Sequence, residues 1–180
     1  MSQNIHLKNT QVKSNGVFFL ILSRASQMFC ECSNLKVNEV NDLKPHRLFD
    51  PIRKKDVPAT PEEHVRQATV RYLLDVVKVP AHLIAVEFPL SLVDAKTDDR
   101  VDIVVHNFRD GAPLSKPWLL VECKAPGEYT WPVLQQQLNK YLQILTPNYV
   151  MLALGDCVRY FELDAASMRF RKIEKLPEFG

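Results

Sequence analysis

Long apolar runs are scarce in these 180 residues. GVFFLIL at residues 16–22 is the only notable one near the start, and it is far too short to cross a bilayer. Lys8 and Lys13 precede it, as in a secretion signal, but SRAS breaks the run and no small-residue cleavage site follows, so neither secretion nor a membrane span is expected. Glycine is rare, five against twelve prolines, which argues for a chain punctuated by stops rather than by flexible linkers. The four cysteines, Cys30, Cys32, Cys123 and Cys157, form neither a CxxC pair nor a Cys/His set with zinc spacing. Cys30 and Cys32 sit too close for a comfortable disulfide, so all four are read as reduced thiols of a cytoplasmic protein. Excess charge is also missing. A net +2 is less than a strongly basic nucleic-acid binder carries, and leaves local distribution to decide about phosphate partners. No repeat or low-complexity tract occurs.

What is present suits one soluble domain with a real core: 46% hydrophobic and 24% charged residues. Residues 1–45 are rich in Ser and Asn without a sustained period, and read as an N-terminal extension whose order is left open. Residues 46–180 read as the organised domain. Thr60-Pro61-Glu62-Glu63 is a helix start, with Thr60 as cap and Glu63 completing a capping box. Val65, Ala68, Tyr72, Leu73 and Val76 then recur at helical spacing until Pro80. HLIAVEFPL, RVDIVVH and PWLLVECK read as strands, the last two joined by the polar loop NFRDGAPLSK. TWPVLQQQLNKYLQIL is a second helix with Leu134, Leu138, Tyr141, Leu142 and Leu145 on one face, and NYVMLALG and CVRYFELD are further strands. The order α-β-β-β-α-β-β implies an α/β domain with a mixed central sheet flanked by helices.

Chemistry concentrates at VECKAP, residues 121–126. Side chains alternate along a strand, so Glu122 and Lys124 share one face while Cys123 points to the other, into packing. If RVDIVV lies alongside, Asp102 converges on that pair. Two carboxylates and an ammonium are costly to bury without partners. A divalent cation answers that cost, and Mg2+ suits two carboxylates plus a backbone carbonyl and a phosphate. Asp102 and Glu122 then hold the metal, and Lys124 orients or helps deprotonate the attacking water and offsets charge on the phosphate. Taken singly, each of the three is more often a plain strand-end charge.

Asp102 followed by Glu122-Cys123-Lys124 resembles the D…ExK core of the PD-(D/E)xK nuclease superfamily. More closely, the chain resembles the N-terminal nuclease domain of type I restriction enzyme R subunits, through DPIRKKDVPATPEEHVRQ, RVDIVV, VECKAP and QQQLNKYLQIL, over roughly residues 48–165. Gln137 to Tyr141 matches the QxxxY motif of one branch of that superfamily. The residue before the aspartate is Val101, where the superfamily pattern has proline. The resemblance implies a restriction-endonuclease-like αβββαβ core and Mg2+-dependent hydrolysis of DNA, with Mn2+ as substitute. It implies metal ligation by Asp102, Glu122, the Cys123 backbone carbonyl and, through water, Glu63, with Lys124, Gln137 and Tyr141 completing the catalytic set. It implies DNA and other restriction or defence subunits as partners. No GxxxxGKS/T phosphate loop occurs, so a domain without its own ATP-driven motor is expected. The competing expectation is a nuclease-fold module that binds or regulates with little or no turnover. Arg66 and Gln67 match the family stretch and could equally be ordinary helix surface, and Arg53-Lys54-Lys55 reads as a solvated charge run that a nucleic-acid backbone could use.

Overall fold

The computed structural model describes residues 47–107 and 111–180. The expected extension, with its apolar run, Cys30 and Cys32, lies outside the described residues, as do residues 108–110 of the polar loop.

The described chain opens on a hairpin that the sequence pattern does not announce. β1 (Arg47–Asp50) pairs antiparallel with β2 (Lys55–Pro58). Asp50 closes the turn, its Oδ1 accepting the backbone N–H groups of Ile52 and Arg53 at 2.8 Å. An aspartate that bonds the backbone two residues on mimics a turn and needs no apolar period to declare itself.

Helix α1 (Pro61–Asp75) starts where expected, with Thr60 Oγ1 accepting the Glu63 N–H at 3.1 Å. Only half of the capping box forms. The Thr60 N–H donates to the Pro58 carbonyl, and the Glu63 carboxylate is engaged elsewhere. The helix also ends earlier than Pro80: the chain turns away at Lys78, whose φ is 64°. Val76 therefore leaves the expected stripe and is 60% exposed. The buried face runs instead through Val65, Thr69, Val70 and Leu73, and continues toward the N-terminus through Glu63, Arg66 and Gln67. Apolar periodicity hides those three, because a polar side chain at a buried position breaks the pattern that is being counted.

One six-stranded sheet follows in sequence order: β3 (Ile84–Pro89), β4 (Arg100–Val105), β5 (Leu119–Cys123), β6 (Tyr149–Ala153), β7 (Val158–Asp164) and β8 (Arg169–Ile173). Only β5 and β6 are parallel, joined by helix α2 (Trp131–Ile144); the sheet is therefore mixed. Val65, Val70 and Leu73 of α1 pack with Leu119, Val121, Cys123 and Met151 on one face. Leu134, Leu138 and Tyr141 of α2 pack with Leu120, Val150 and Leu152 on the other. With both faces covered, all five residues of β5 are buried, which is why it reads as an apolar run broken only by Glu122. The expected αβββαβ order is present from α1 to β6. Strand β8 is an addition: RFRKI has a single buried side chain, Phe170, and its charges suit an edge that must not recruit another strand.

The loop after β5 is held by a close backbone approach. Gly155 has φ +79°, and a Cβ there would lie 2.5 Å from the Pro126 ring. Gly155→Ala is expected to destabilise the domain by roughly 2 kcal/mol, from left-handed strain plus overpacking. A lowered denaturant midpoint at unchanged slope is the check.

Candidate active site

The site forms where the sheet comes apart. Strands β4 and β5 pair through Val105↔Leu119, Val104↔Leu120 and Ile103↔Val121, and the ladder stops there. The next opposed positions are Asp102 and Glu122. On the other side of β4, pairing with β3 runs through Val86↔Ile103 and resumes at Phe88↔Val101, skipping Glu87 and Asp102. Glu87 has φ 52°, unusual for a side-chain-bearing residue in a strand. Three acids, Glu87, Asp102 and Glu122, thus occupy one rank across three neighbouring strands. Asp102 replaces the missing ladder bond itself: its Oδ2 accepts the Cys123 N–H at 2.7 Å. Cys123 is fully buried on the α1 face, as alternation requires.

Around this rank the ion pairs form one connected network. Arg66 Nη2 donates to Asp102 Oδ1 at 2.7 Å and to Glu62 Oε1 at 2.8 Å, and Nη1 donates to Glu63 Oε2. Arg53 bridges Asp50, Glu63 and Glu87, with Nη2 2.6 Å from Glu63 Oε1 and Nη1 2.8 Å from Glu87 Oε2. Gln67 Nε2 adds a bond to Glu63 Oε1 at 2.8 Å. Lys124 Nζ lies 2.6 Å from Glu122 Oε1 and 4.0 Å from Glu62 Oε2. Six carboxylates meet three cationic side chains, a formal excess of three negative charges. Arg53 is therefore no member of a solvated run, and Arg66 and Gln67 are not helix surface. Burial of the carboxylates draws these side chains in.

Glu122 is the exception within the network. It is fully buried, and its Oε2 has no hydrogen-bond partner among the described residues. Burial first, then the Asp102 charge, pushes its pKa up to about 8, while Lys124 pulls it back down. Burial opposes the charge on Lys124, but the Glu122 carboxylate, with Asp102 and Glu62, outweighs it and leaves the Lys124 pKa raised. Both shifts describe one pair, which resists negative charge on Glu122 and keeps the proton on Lys124.

Gln137 and Tyr141 lie on α2 as expected, one turn apart. Gln137 Nε2 donates to the Tyr141 hydroxyl at 2.7 Å, which donates to the Arg100 carbonyl at 2.8 Å. The pair thus braces β4 two residues before Asp102. Burial, then the Glu122 charge, raises the Tyr141 phenol above its ordinary value. The sequence reading missed Asp50, Arg53, Arg66 and Glu87 as members of the site. A charged residue inside IAVEFP, and polar residues that continue the α1 stripe, were the available signals.

The donor set fits a hard divalent cation of the Mg2+ type, which takes one or two carboxylates and completes its shell with water and phosphate. Asp102 and Glu122 are neighbouring oxygen donors, and Glu122 Oε2 is buried without a partner. The fit is to a sparse site: among the described residues, no three carboxylate, imidazole or thiolate groups converge as a cage.

Residues 61–177 match the family model of the type I restriction enzyme R protein N terminus. The chain belongs to that family. No curated protein and no solved structure matches it. The family segment begins at α1 and ends beyond β8. It therefore includes Glu63, Arg66, Asp102, Glu122, Lys124, Gln137 and Tyr141, and leaves out the hairpin that supplies Asp50 and Arg53.

The Glu122 shift has a consequence for stability. The folded carboxyl keeps its proton to about pH 8, whereas its ordinary value is 4.5. Between those values the folded state binds more protons, so stability falls as pH rises through that window. In chelator, Glu122→Gln is expected to flatten the decline in Tm across it. A decline of equal steepness in the variant would assign the pH dependence to other groups.

Proposed function

We propose that this domain is a metal-dependent deoxyribonuclease of the restriction or defence type, cleaving phosphodiester bonds by direct attack of water. The observation that carries this reading is the buried Glu122 carboxylate, one oxygen unpartnered, beside Asp102 at the break in the sheet. Asp102 and Glu122 would hold the cation, helped by the Cys123 backbone carbonyl and, through water, by Glu63. Bound there, Mg2+, or Mn2+ in its place, supplies an acidified water and a positive charge opposite the phosphate.

The chain's own groups do the rest. Lys124, 2.6 Å from Glu122 Oε1, orients or helps deprotonate the attacking water and offsets charge on the phosphoryl oxygens. Gln137 and Tyr141 steady the backbone that carries Asp102. Family membership supports DNA as the proposed substrate and other restriction or defence subunits as proposed partners. Any ATP-driven motor served by this domain is proposed to lie outside these residues.

A second reading has its own support: Asp102 Oδ1 and both Glu63 oxygens are already bound by arginines. It describes a nuclease-fold module that binds DNA in a salt-dependent way without hydrolysing it. Cleavage assays with Mg2+ decide between them. Asp102→Ala and Lys124→Ala are each expected to lose at least about a hundred-fold in rate while circular dichroism and Tm report an intact fold. Undiminished cleavage by both variants would overturn the nuclease reading, and robust turnover by the intact domain would overturn the second.

A further inference from the structure

We propose that Arg66 is an internal counterion standing in the cation's place: its guanidinium closes Asp102 and Glu63 in the metal-free domain, and a divalent cation enters by displacing it. This rests on the reading of Asp102 and Glu122 as a metal centre.

One side chain closes a direct ligand, Asp102, and the water-mediated one, Glu63. Arg66 is 6% exposed on α1, and a single fork reaches Asp102 Oδ1, Glu62 Oε1 and Glu63 Oε2. The other Glu63 oxygen is taken by Arg53 and Gln67, and the other Asp102 oxygen by the Cys123 N–H. Moving Arg66 therefore frees one oxygen on each carboxylate at once.

The two arginines are held differently. Arg53 uses all three of its nitrogens, on Asp50, Glu63 and Glu87. Arg66 Nε is buried with no hydrogen-bond partner among the described residues. An unsatisfied buried donor is costly, and its cost favours any arrangement that lets the guanidinium leave. Room for that movement exists: Arg66, Glu62 and Glu63 line an open cavity of about 620 Å3 between α1 and the β1–β2 hairpin. Charge points the same way. A guanidinium and a dication on one carboxylate oxygen repel each other, and the departing guanidinium leaves Asp102 Oδ1 and Glu63 Oε2 to face the metal.

Mn2+ titration calorimetry and thermal melts with and without Mn2+ test this on the intact protein, Arg66→Gln and Arg66→Lys. Arg66→Gln is expected to lower Tm in chelator, to bind Mn2+ on the order of ten-fold more tightly, and to gain more Tm from Mn2+ than the intact protein does. Arg66→Lys keeps the charge and loses the fork, so it folds without metal and shows a smaller gain in affinity. Equal or weaker Mn2+ binding by the folded variants, with binding by the intact protein, would overturn the counterion role and leave the metal centre standing. Binding by the variants alone would support both readings. No binding by any of the three proteins would overturn both.

Discussion

A carboxylate at the end of a strand covered on both faces must find positive charge or stay protonated. Glu122 is that carboxylate, and much of the surrounding structure answers to it. Lys124 sits two residues on along the same strand face, close enough to pair and too constrained to satisfy both oxygens. Asp102, on the next strand, adds a second negative charge that raises the demand. Removing one partner from such an arrangement exposes the full desolvation cost of the other, which makes the group poised rather than inert.

The backbone cooperates in creating the opening. A continuous β4–β5 ladder would set Asp102 and Glu122 side by side with no room between them. Instead the ladder ends at Ile103↔Val121, and the Asp102 side chain takes over the Cys123 N–H that the backbone has given up. On the far side, the left-handed φ of Glu87 interrupts β3–β4 pairing at the same rank. Non-glycine strain of this kind persists only where the surroundings hold it, and Arg53 does so by pinning the Glu87 carboxylate to the hairpin and α1. The hairpin, short and poorly patterned, is thus the part that fastens the acidic rank from outside the family segment.

Much of this was legible in the sequence. The apolar residues of β5, the Thr60 cap and the leucine face of α2 each obey one strong local rule, and each element lies close to where that rule puts it. The Asp102, Glu122 and Lys124 positions were legible because period-two alternation assigns their faces. Less visible were residues whose placement depends on charge rather than on apolar periodicity. Arg66 and Gln67 look like helix surface until the acids they bond to are known to be buried. Arg53 looks like part of a solvated run until Asp50 is seen to close a turn beneath it. The β1–β2 hairpin and β8 were missed because short, charged strands carry almost no alternation to count.

The central claim is that Asp102 and Glu122 together form a divalent cation site. Calorimetric titration of Mn2+ into the intact protein and into the double variant Asp102→Asn with Glu122→Gln tests it most directly, with near-ultraviolet circular dichroism confirming that both are folded. The account predicts saturable binding by the intact protein that disappears in the double variant. Unchanged binding in the folded double variant, or no binding by the intact protein and by Arg66→Gln alike, would contradict it.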